Sequence, residues 1–179
     1  MNRIKSLIVL LVLVIVAAYP TDPGAQGDLP PADPPGHGRV GVYLTSYALT
    51  KRDVVEGVFA AYKAGKIDTV VINVKNMHGE ITYDTAVPLA AEIGAVTGRL
   101  DLCALVPALR DRGFYVIARQ VLFYDPLLAA HLGKAEPWIP VNNPIASEYN
   151  LAIAEEVVSY GFDELQFDYI RYADVGSLD

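Results

Sequence analysis

The sequence is poor in the residues that build covalent cross-links and transition-metal sites. It has a single cysteine, Cys103, and only three histidines. One cysteine cannot form an internal disulfide, and no cysteine or histidine pair has the spacing of a zinc site. No predicted strand carries two histidines one residue apart, which disfavours a metal-dependent barrel hydrolase. We therefore expect no metal and no organic cofactor, and we interpret Cys103, in an apolar helical stretch, as a small core residue.

Positive charge is also scarce. Lys and Arg total 14 against 21 Asp and Glu, which gives a formal net charge of −7. No basic cluster follows the short start at Arg3 and Lys5, so the chain lacks the positive surface with which proteins bind phosphate backbones. We therefore expect no nucleic-acid partner. The hydrophobic fraction of 53% is typical of one globular domain.

The N-terminal segment differs in composition from the rest of the chain. Residues 1–19 contain two basic residues followed by an unbroken apolar run, which is the pattern of a signal peptide or a membrane anchor. If it is not cleaved, residues 4–19 would tether the protein to a membrane. Residues 20–38 are rich in proline and glycine and predict an extended linker. We therefore expect residues 39–179 to form a folded domain outside the cytoplasm, either secreted or anchored to the cell membrane.

From residue 40 onward, short β-branched runs alternate with segments of helical period, which predicts an α/β fold of βα units around a parallel sheet. Strands are predicted over residues 40–47, 69–74, 114–121 and 164–170, with a small β excursion over 79–84. Helices are predicted from residue 50, over 101–112 and over 147–160, the last with Leu151, Ala154, Val157 and Val158 on its buried face.

Four βα units are half of a (β/α)8 TIM barrel, which usually takes about 250 residues. An open sheet of four parallel strands exposes an edge and apolar faces. We therefore expect a partial barrel that is truncated in this chain, or that self-associates through its open edge.

Polar and aromatic side chains stand at the carboxyl ends of the predicted strands, where parallel α/β folds carry their reactive groups. Asp168 is the most informative, because an acid inside the apolar run LQFDYI is costly to bury unless it is paired or catalytic. Its expected partner is Arg171, and a purely structural ion pair is the alternative. Alternation along the strand places Gln166 and Asp168 on the face toward the barrel axis. For Lys75, the alternative to a site role is an ammonium that reaches solvent from a strand end.

Four segments together resemble a known family: GVYLTSY, TVVINVKNMHGEITYDTAVPLAAEIGA, DLCALVPALRDRGFYVIARQVLFYDPLLA and YNLAIAEEVVSYGFDELQFDYIRY. They are similar to the glycosyl-hydrolase domain family of secreted bacterial proteins, and GFDELQFDYIRY is the most diagnostic piece. The resemblance covers almost all of the chain after the linker. It implies the N-terminal half of a TIM barrel of the amylase-like type, with a functional carboxylate at the end of the fourth strand, here Asp168.

These observations predict a glycoside hydrolase that acts on a cell-surface or extracellular polysaccharide. Asp168 is the predicted catalytic carboxylate, and the predicted substrate-binding residues are Tyr43, Lys75, Arg119, Gln166 and Arg171. Glycosidases normally use two carboxylates, and Asp125, after the third strand, is another acid placed to reach the mouth of a barrel. Two alternatives stay open: a noncatalytic carbohydrate-binding module at the cell surface, and a nonfunctional fragment of a longer enzyme.

Overall fold

A computed structural model describes residues 38–171 of the chain. The predicted signal segment, residues 1–19, and linker residues 20–37 lie outside the described residues, so their roles stay predictions. Across residues 38–171, no helix is both long enough and apolar enough to cross a membrane.

The described residues form six strands and five α-helices. The strands are β1 Gly41–Leu44, β2 Thr69–Lys75, β3 Ile81–Tyr83, β4 Val96–Leu100, β5 Tyr115–Val121 and β6 Glu164–Asp168. The helices are α1 Arg52–Lys63, α2 Pro88–Glu92, α3 Leu102–Arg110, α4 Pro126–His131 and α5 Pro144–Ser159, and a 3-10 turn spans Ala48–Thr50.

The sheet has a parallel body and a short branch. β1, β2, β5 and β6 lie side by side in that order and run parallel. This is the chain order of successive βα units, and it is consistent with a partial barrel-like α/β fold. β3 pairs antiparallel with the end of β2, and β4 pairs parallel with β3. The four predicted strands therefore form the body, and the predicted excursion forms the start of the branch.

Three of the helices begin at side-chain caps. Asp101 accepts a hydrogen bond from the Ala104 amide, Asp125 from the Leu128 amide and Asn143 from the Ala146 amide, at 2.9–3.1 Å. Each carbonyl or carboxylate oxygen satisfies an amide that has no partner within its helix. The helix predicted from residue 101 is thus confirmed.

Helices α2 and α4 and strand β4 were not predicted. The sequence did not predict α4 because Pro126 ends the preceding strand pattern, although a proline after a capping Asp also favours the start of a helix. It did not predict β4 because Gly98 and Arg99 interrupt the apolar pattern of that strand.

The core lies between the sheet and the helices. Its fully buried side chains include Val70, Ile72, Val116 and Ala118 from the sheet, and Val106, Ile153 and Val157 from the helices. The near-continuous burial of β2 agrees with a central parallel strand that is covered on both faces.

Two predictions about burial are wrong. Of the four residues predicted on the buried face of α5, Ala154 and Val157 are buried, but Leu151 and Val158 are 59% and 57% exposed. The helix buries the face that carries Ala146, Tyr149, Ile153 and Val157. Cys103 is exposed, because α3 turns Leu102, Leu105, Val106 and Leu109 inward. In both helices the buried positions are spaced three and four residues apart.

Candidate active site

Asp168 ends β6 and forms an ion pair with Arg119 of β5. The Nε and Nη2 groups of Arg119 donate to the same carboxylate oxygen, Oδ2, at 3.0 and 2.5 Å. Arg119 lies opposite Gln166, two residues before Asp168, so the three side chains share one face of the sheet. The partner of Asp168 is thus Arg119 and not the predicted Arg171, because strand pairing brings Arg119 beside it.

The Asp168 carboxylate is held in its ionised form. Partial burial opposes ionisation, but it is outweighed by hydrogen bonds from Arg119 and the Tyr169 amide and by the positive charge of Arg119. The pKa of Asp168 therefore lies below its usual value. The Tyr169 amide donates to Oδ1 at 2.7 Å. With 42% of its side chain exposed, the charged carboxylate is still reachable from solvent.

Arg119 is fixed from the side opposite Asp168. Its Nη1 donates to Asn73 Oδ1 at 3.2 Å, and its guanidinium lies over the Tyr43 ring at 5.3 Å from the ring centre. Tyr43 is 47% exposed and Gln166 is also exposed. Four predicted site residues, Tyr43, Arg119, Gln166 and Asp168, therefore lie on one open face of the sheet. Asn73, a polar residue at the carboxyl end of the second predicted strand, was not among the predicted substrate-binding residues.

Lys75 lies outside this open face. Its side chain is fully buried, and Nζ forms an ion pair with Asp125 Oδ2 at 2.7 Å, with neither side chain exposed. Nζ also donates to Asn150 Oδ1 at 3.0 Å and to the Val121 carbonyl at 3.1 Å. Burial lowers the pKa of Lys75, and the negative charge of Asp125 opposes that effect. The Lys75 ammonium therefore contacts buried protein groups. It neither faces the open side of the sheet, as a substrate contact would require, nor reaches solvent, as the alternative interpretation expected.

A bulge in β2 explains the burial of Lys75. Asn73 pairs with Arg119, but Lys75, two residues later, pairs with Gln120, the very next residue of β5. The extra residue in β2 moves Lys75 off the face that carries Asn73 and Arg119. Its new neighbour Gln120 donates to the Asn150 carbonyl of α5 at 2.9 Å, so this face is the one that meets the helices.

Two other acids near the strand ends serve the fold. Asp125, placed by the sequence near the barrel mouth, is instead buried as the cap of α4 and the partner of Lys75. Asp163, just before β6, accepts from the Val116 amide at 2.8 Å and forms an ion pair with Arg110 at 3.1 Å. It stands at the opposite end of β6 from Asp168.

Three aromatic rings pack together, one of them from Tyr169, the residue after Asp168, and we call Tyr124, Trp138 and Tyr169 the aromatic wall. The ring centres lie 5.1 Å apart for Tyr124 and Trp138, 5.3 Å for Tyr124 and Tyr169, and 5.8 Å for Trp138 and Tyr169. The Arg171 guanidinium lies over the Trp138 ring, 5.3 Å from its centre. From the sequence alone, Trp138 is open to two interpretations, a ring that stacks on a sugar or one that covers an apolar pocket. Neither tyrosine was predicted to lie at the site. Their position directly after strands was the available signal.

Together these residues give the open face a charged carboxylate, a guanidinium, polar side chains and aromatic rings. A few polar groups placed beside aromatic surface are typical of a small-molecule or saccharide site. Within residues 38–171, no group of three or more His, Cys, Asp or Glu side chains is arranged to hold a metal ion.

The chain belongs to the family described as "Putative glycosyl hydrolase domain", whose model matches residues 41–179. This is the glycosyl-hydrolase membership predicted from the sequence, and it defines a glycoside-hydrolase-like domain. It does not by itself establish an amylase-like relationship. No curated protein matches the chain.

Solved structures supply two further comparisons. A hypothetical protein from Ruminiclostridium thermocellum ATCC 27405 is 26% identical, with a TM-score of 0.67, over 74% of this chain and 78% of that one. An α-fucosidase from Thermotoga maritima is 16% identical, with a TM-score of 0.47, over 63% of this chain and 28% of the fucosidase. The first similarity is in the fold of most of both chains, and the second is too low to say anything about this chain.

Proposed function

We propose that this chain is a glycoside hydrolase domain that acts on a cell-surface or extracellular polysaccharide, with Asp168 as one of two catalytic carboxyl groups. The observation that carries the proposal is a partly exposed, ionised carboxylate at the carboxyl end of a parallel strand, beside polar and aromatic side chains. Membership of the glycosyl-hydrolase family supports it. The amylase-like relationship suggested by the sequence stays part of the proposal.

The electrostatic surroundings of Asp168 favour one of the two carboxylate roles. The general acid of a glycosidase must hold a proton, so it needs a raised pKa. The pKa of Asp168 is lowered instead, with Arg119 and the Tyr169 amide stabilising the charged form. Asp168 therefore fits the nucleophile, or the negative charge that stabilises an oxocarbenium-like transition state, and another carboxyl group supplies the proton.

Neighbouring side chains are proposed to bind and orient the substrate. Tyr43 and Gln166 are exposed on the same face as Asp168 and offer groups that hydrogen-bond sugar hydroxyls. We propose the same role for Arg171, whose guanidinium lies over the Trp138 ring. Arg119 acts on Asp168 by holding it ionised and in one orientation, which reduces the reorganisation needed at the transition state.

The proposed location is outside the cytoplasm, either secreted or tethered to the membrane. It rests on the basic start and apolar run of residues 1–19 and on the proline-rich residues 20–38. A polysaccharide at the cell surface is the substrate class that fits such a location.

A noncatalytic carbohydrate-binding module is the second candidate. The observation that favours it is that Oδ2 of Asp168 already accepts hydrogen bonds from two N–H groups of Arg119. A carboxylate bound in this way also serves as a fixed hydrogen-bonding group in a binding site. The two candidates differ in whether the wild-type chain cleaves what it binds.

Release of reducing ends from a panel of polysaccharides tests the proposal. We expect Asp168→Asn to lower hydrolysis at least about 100-fold, the smaller end of what a positioned catalytic group contributes. The matched control is Asp163→Asn, which removes an acid at the opposite end of the same strand and should keep its specific activity. Wild-type binding without hydrolysis would favour the binding module. Equal hydrolysis by wild type and Asp168→Asn would refute the catalytic role.

A further inference from the structure

The aromatic wall is built as one unit and does not consist of three unrelated rings. A β-bridge joins Tyr124 to Trp138. On either side of it, the Ile139 amide donates to the Phe123 carbonyl and the Asp125 amide donates to the Pro137 carbonyl, both at 2.9 Å. These bonds fix the positions of the Tyr124 and Trp138 backbones relative to each other.

The third ring is attached to the same segment. The Phe123 amide donates to the Tyr169 carbonyl at 3.3 Å, and the Leu122 amide donates to the Asp168 carbonyl at 2.9 Å. The buried Lys75 ammonium donates to the carbonyl of Val121, the residue before this segment, at 3.1 Å. One stretch of backbone, residues 121–125, therefore holds both the aromatic wall and Asp168.

Tyr169 couples the wall to the carboxylate. Its φ is 56°, the only positive φ at a non-glycine residue among residues 38–171. This left-handed conformation is unfavourable for a residue with a Cβ and persists only where its surroundings enforce it. Here the Tyr169 amide binds Asp168 Oδ1 at 2.7 Å while its ring packs against Tyr124 and Trp138. The strained residue thus sets the carboxylate and the wall side by side.

The rings of the wall are half-buried, so each keeps accessible surface. The face of an aromatic ring is electron-rich and attracts the slightly positive C–H groups on the flat side of a sugar ring. Hydroxyls at the edge of that sugar would meet Arg171, whose guanidinium lies over the Trp138 ring, and Asp168, whose carboxylate accepts from the Tyr169 amide. A purely apolar ligand would take these polar groups out of water without offering them hydrogen bonds, at a cost in binding free energy.

We propose that the aromatic wall is a stacking subsite for one pyranose ring of a neutral saccharide, directly beside Asp168. The inference rests on the proposed function in taking the ligand to be a saccharide. A neutral saccharide is favoured because the chain carries a net charge of −7, which opposes an acidic sugar, and because the Arg119 guanidinium is already paired with Asp168.

Trp138 is the single tryptophan of the chain, so its fluorescence reports on this site alone. The test titrates the full chain with neutral hexasaccharides, namely cellohexaose, maltohexaose, xylohexaose and mannohexaose, and with the acidic hexagalacturonate. We expect at least one neutral probe to shift the Trp138 emission and to protect it from acrylamide quenching. Failure of all five probes to protect Trp138 overturns the subsite, and protection by hexagalacturonate alone overturns the neutral class.

Calorimetric titration of variants with the protecting saccharide locates the contact. Trp138→Ala should weaken binding by about tenfold or more, equivalent to about 1.4 kcal/mol, whereas Trp138→Phe should restore most of the affinity because it keeps a ring. The matched control is Phe167→Ala, which removes an exposed ring next to Asp168 in sequence but on the opposite face of β6. Unchanged affinity in Trp138→Ala overturns the subsite.

Asp168→Asn separates the two proposals. It should keep saccharide binding while hydrolysis is lost, so binding in this variant tests the wall without the chemistry. A wild-type chain that binds through Trp138 but cleaves nothing would refute the proposed hydrolase and leave the subsite standing.

Discussion

The two ion pairs of the strand ends should differ sharply in their effect on stability. Lys75 and Asp125 have no exposed side-chain area, whereas Arg119 and Asp168 are 17% and 42% exposed. Lys75→Met removes one partner of the buried pair and leaves the Asp125 charge without compensation in the core. Such a loss costs about 3 to 5 kcal/mol. Asp168→Asn acts on a pair partly screened by water and leaves Arg119 bound to Asn73, so we expect about 1 kcal/mol.

Urea unfolding at neutral pH measures both free energies. The control is the double variant Lys75→Met with Asp125→Asn, because Asn keeps an oxygen for the Leu128 amide but carries no charge. If the uncompensated charge of Asp125 causes the loss of stability, the double variant should be at least as stable as Lys75→Met alone. If Lys75→Met lowers the free energy of unfolding no more than Asp168→Asn does, the assignment of Lys75 to the core is refuted. A double variant whose losses simply add would refute it as well.

Three further predictions concern pH, association and location. Because the pKa of Asp168 is lower in the folded state, its ion pair stabilises the protein above the unfolded-state pKa of about 3.9, and this contribution disappears as pH falls through the folded-state pKa. The difference in unfolding free energy between wild type and Asp168→Asn should therefore vanish in acid. A difference that grows in acid would contradict the ion pair. The exposed side chains of Leu151 and Val158 on α5 favour self-association of residues 39–179. Sedimentation should show this association, and Leu151→Glu should reduce it. A monomeric wild type would contradict the prediction. Fusion of residues 1–38 to a reporter that is active only after export should give signal, and a silent reporter would refute an extracytoplasmic location.

Much of the fold follows from local patterns in the sequence. The four strands of the parallel body carry β-branched and aromatic runs, and Asp101 marks the start of α3, because strand period and helix capping depend on residues only a few positions apart. The position of Asp168 at the end of the last strand could be predicted for the same reason. The face it shares with Gln166 follows from simple alternation.

Only the tertiary structure decided the partners of these residues. Arg119, 49 positions before Asp168, binds it because β5 and β6 pair in a particular register, which no local pattern specifies. Lys75 enters the core because one extra residue in β2 reverses its direction, and alternation alone would have put it on the open face. The aromatic wall likewise unites Tyr124, Trp138 and Tyr169 through backbone bonds between distant segments. Sequence period therefore determined which segments form strands and helices, while register and bulges, which exist only between paired strands, determined which side chains meet.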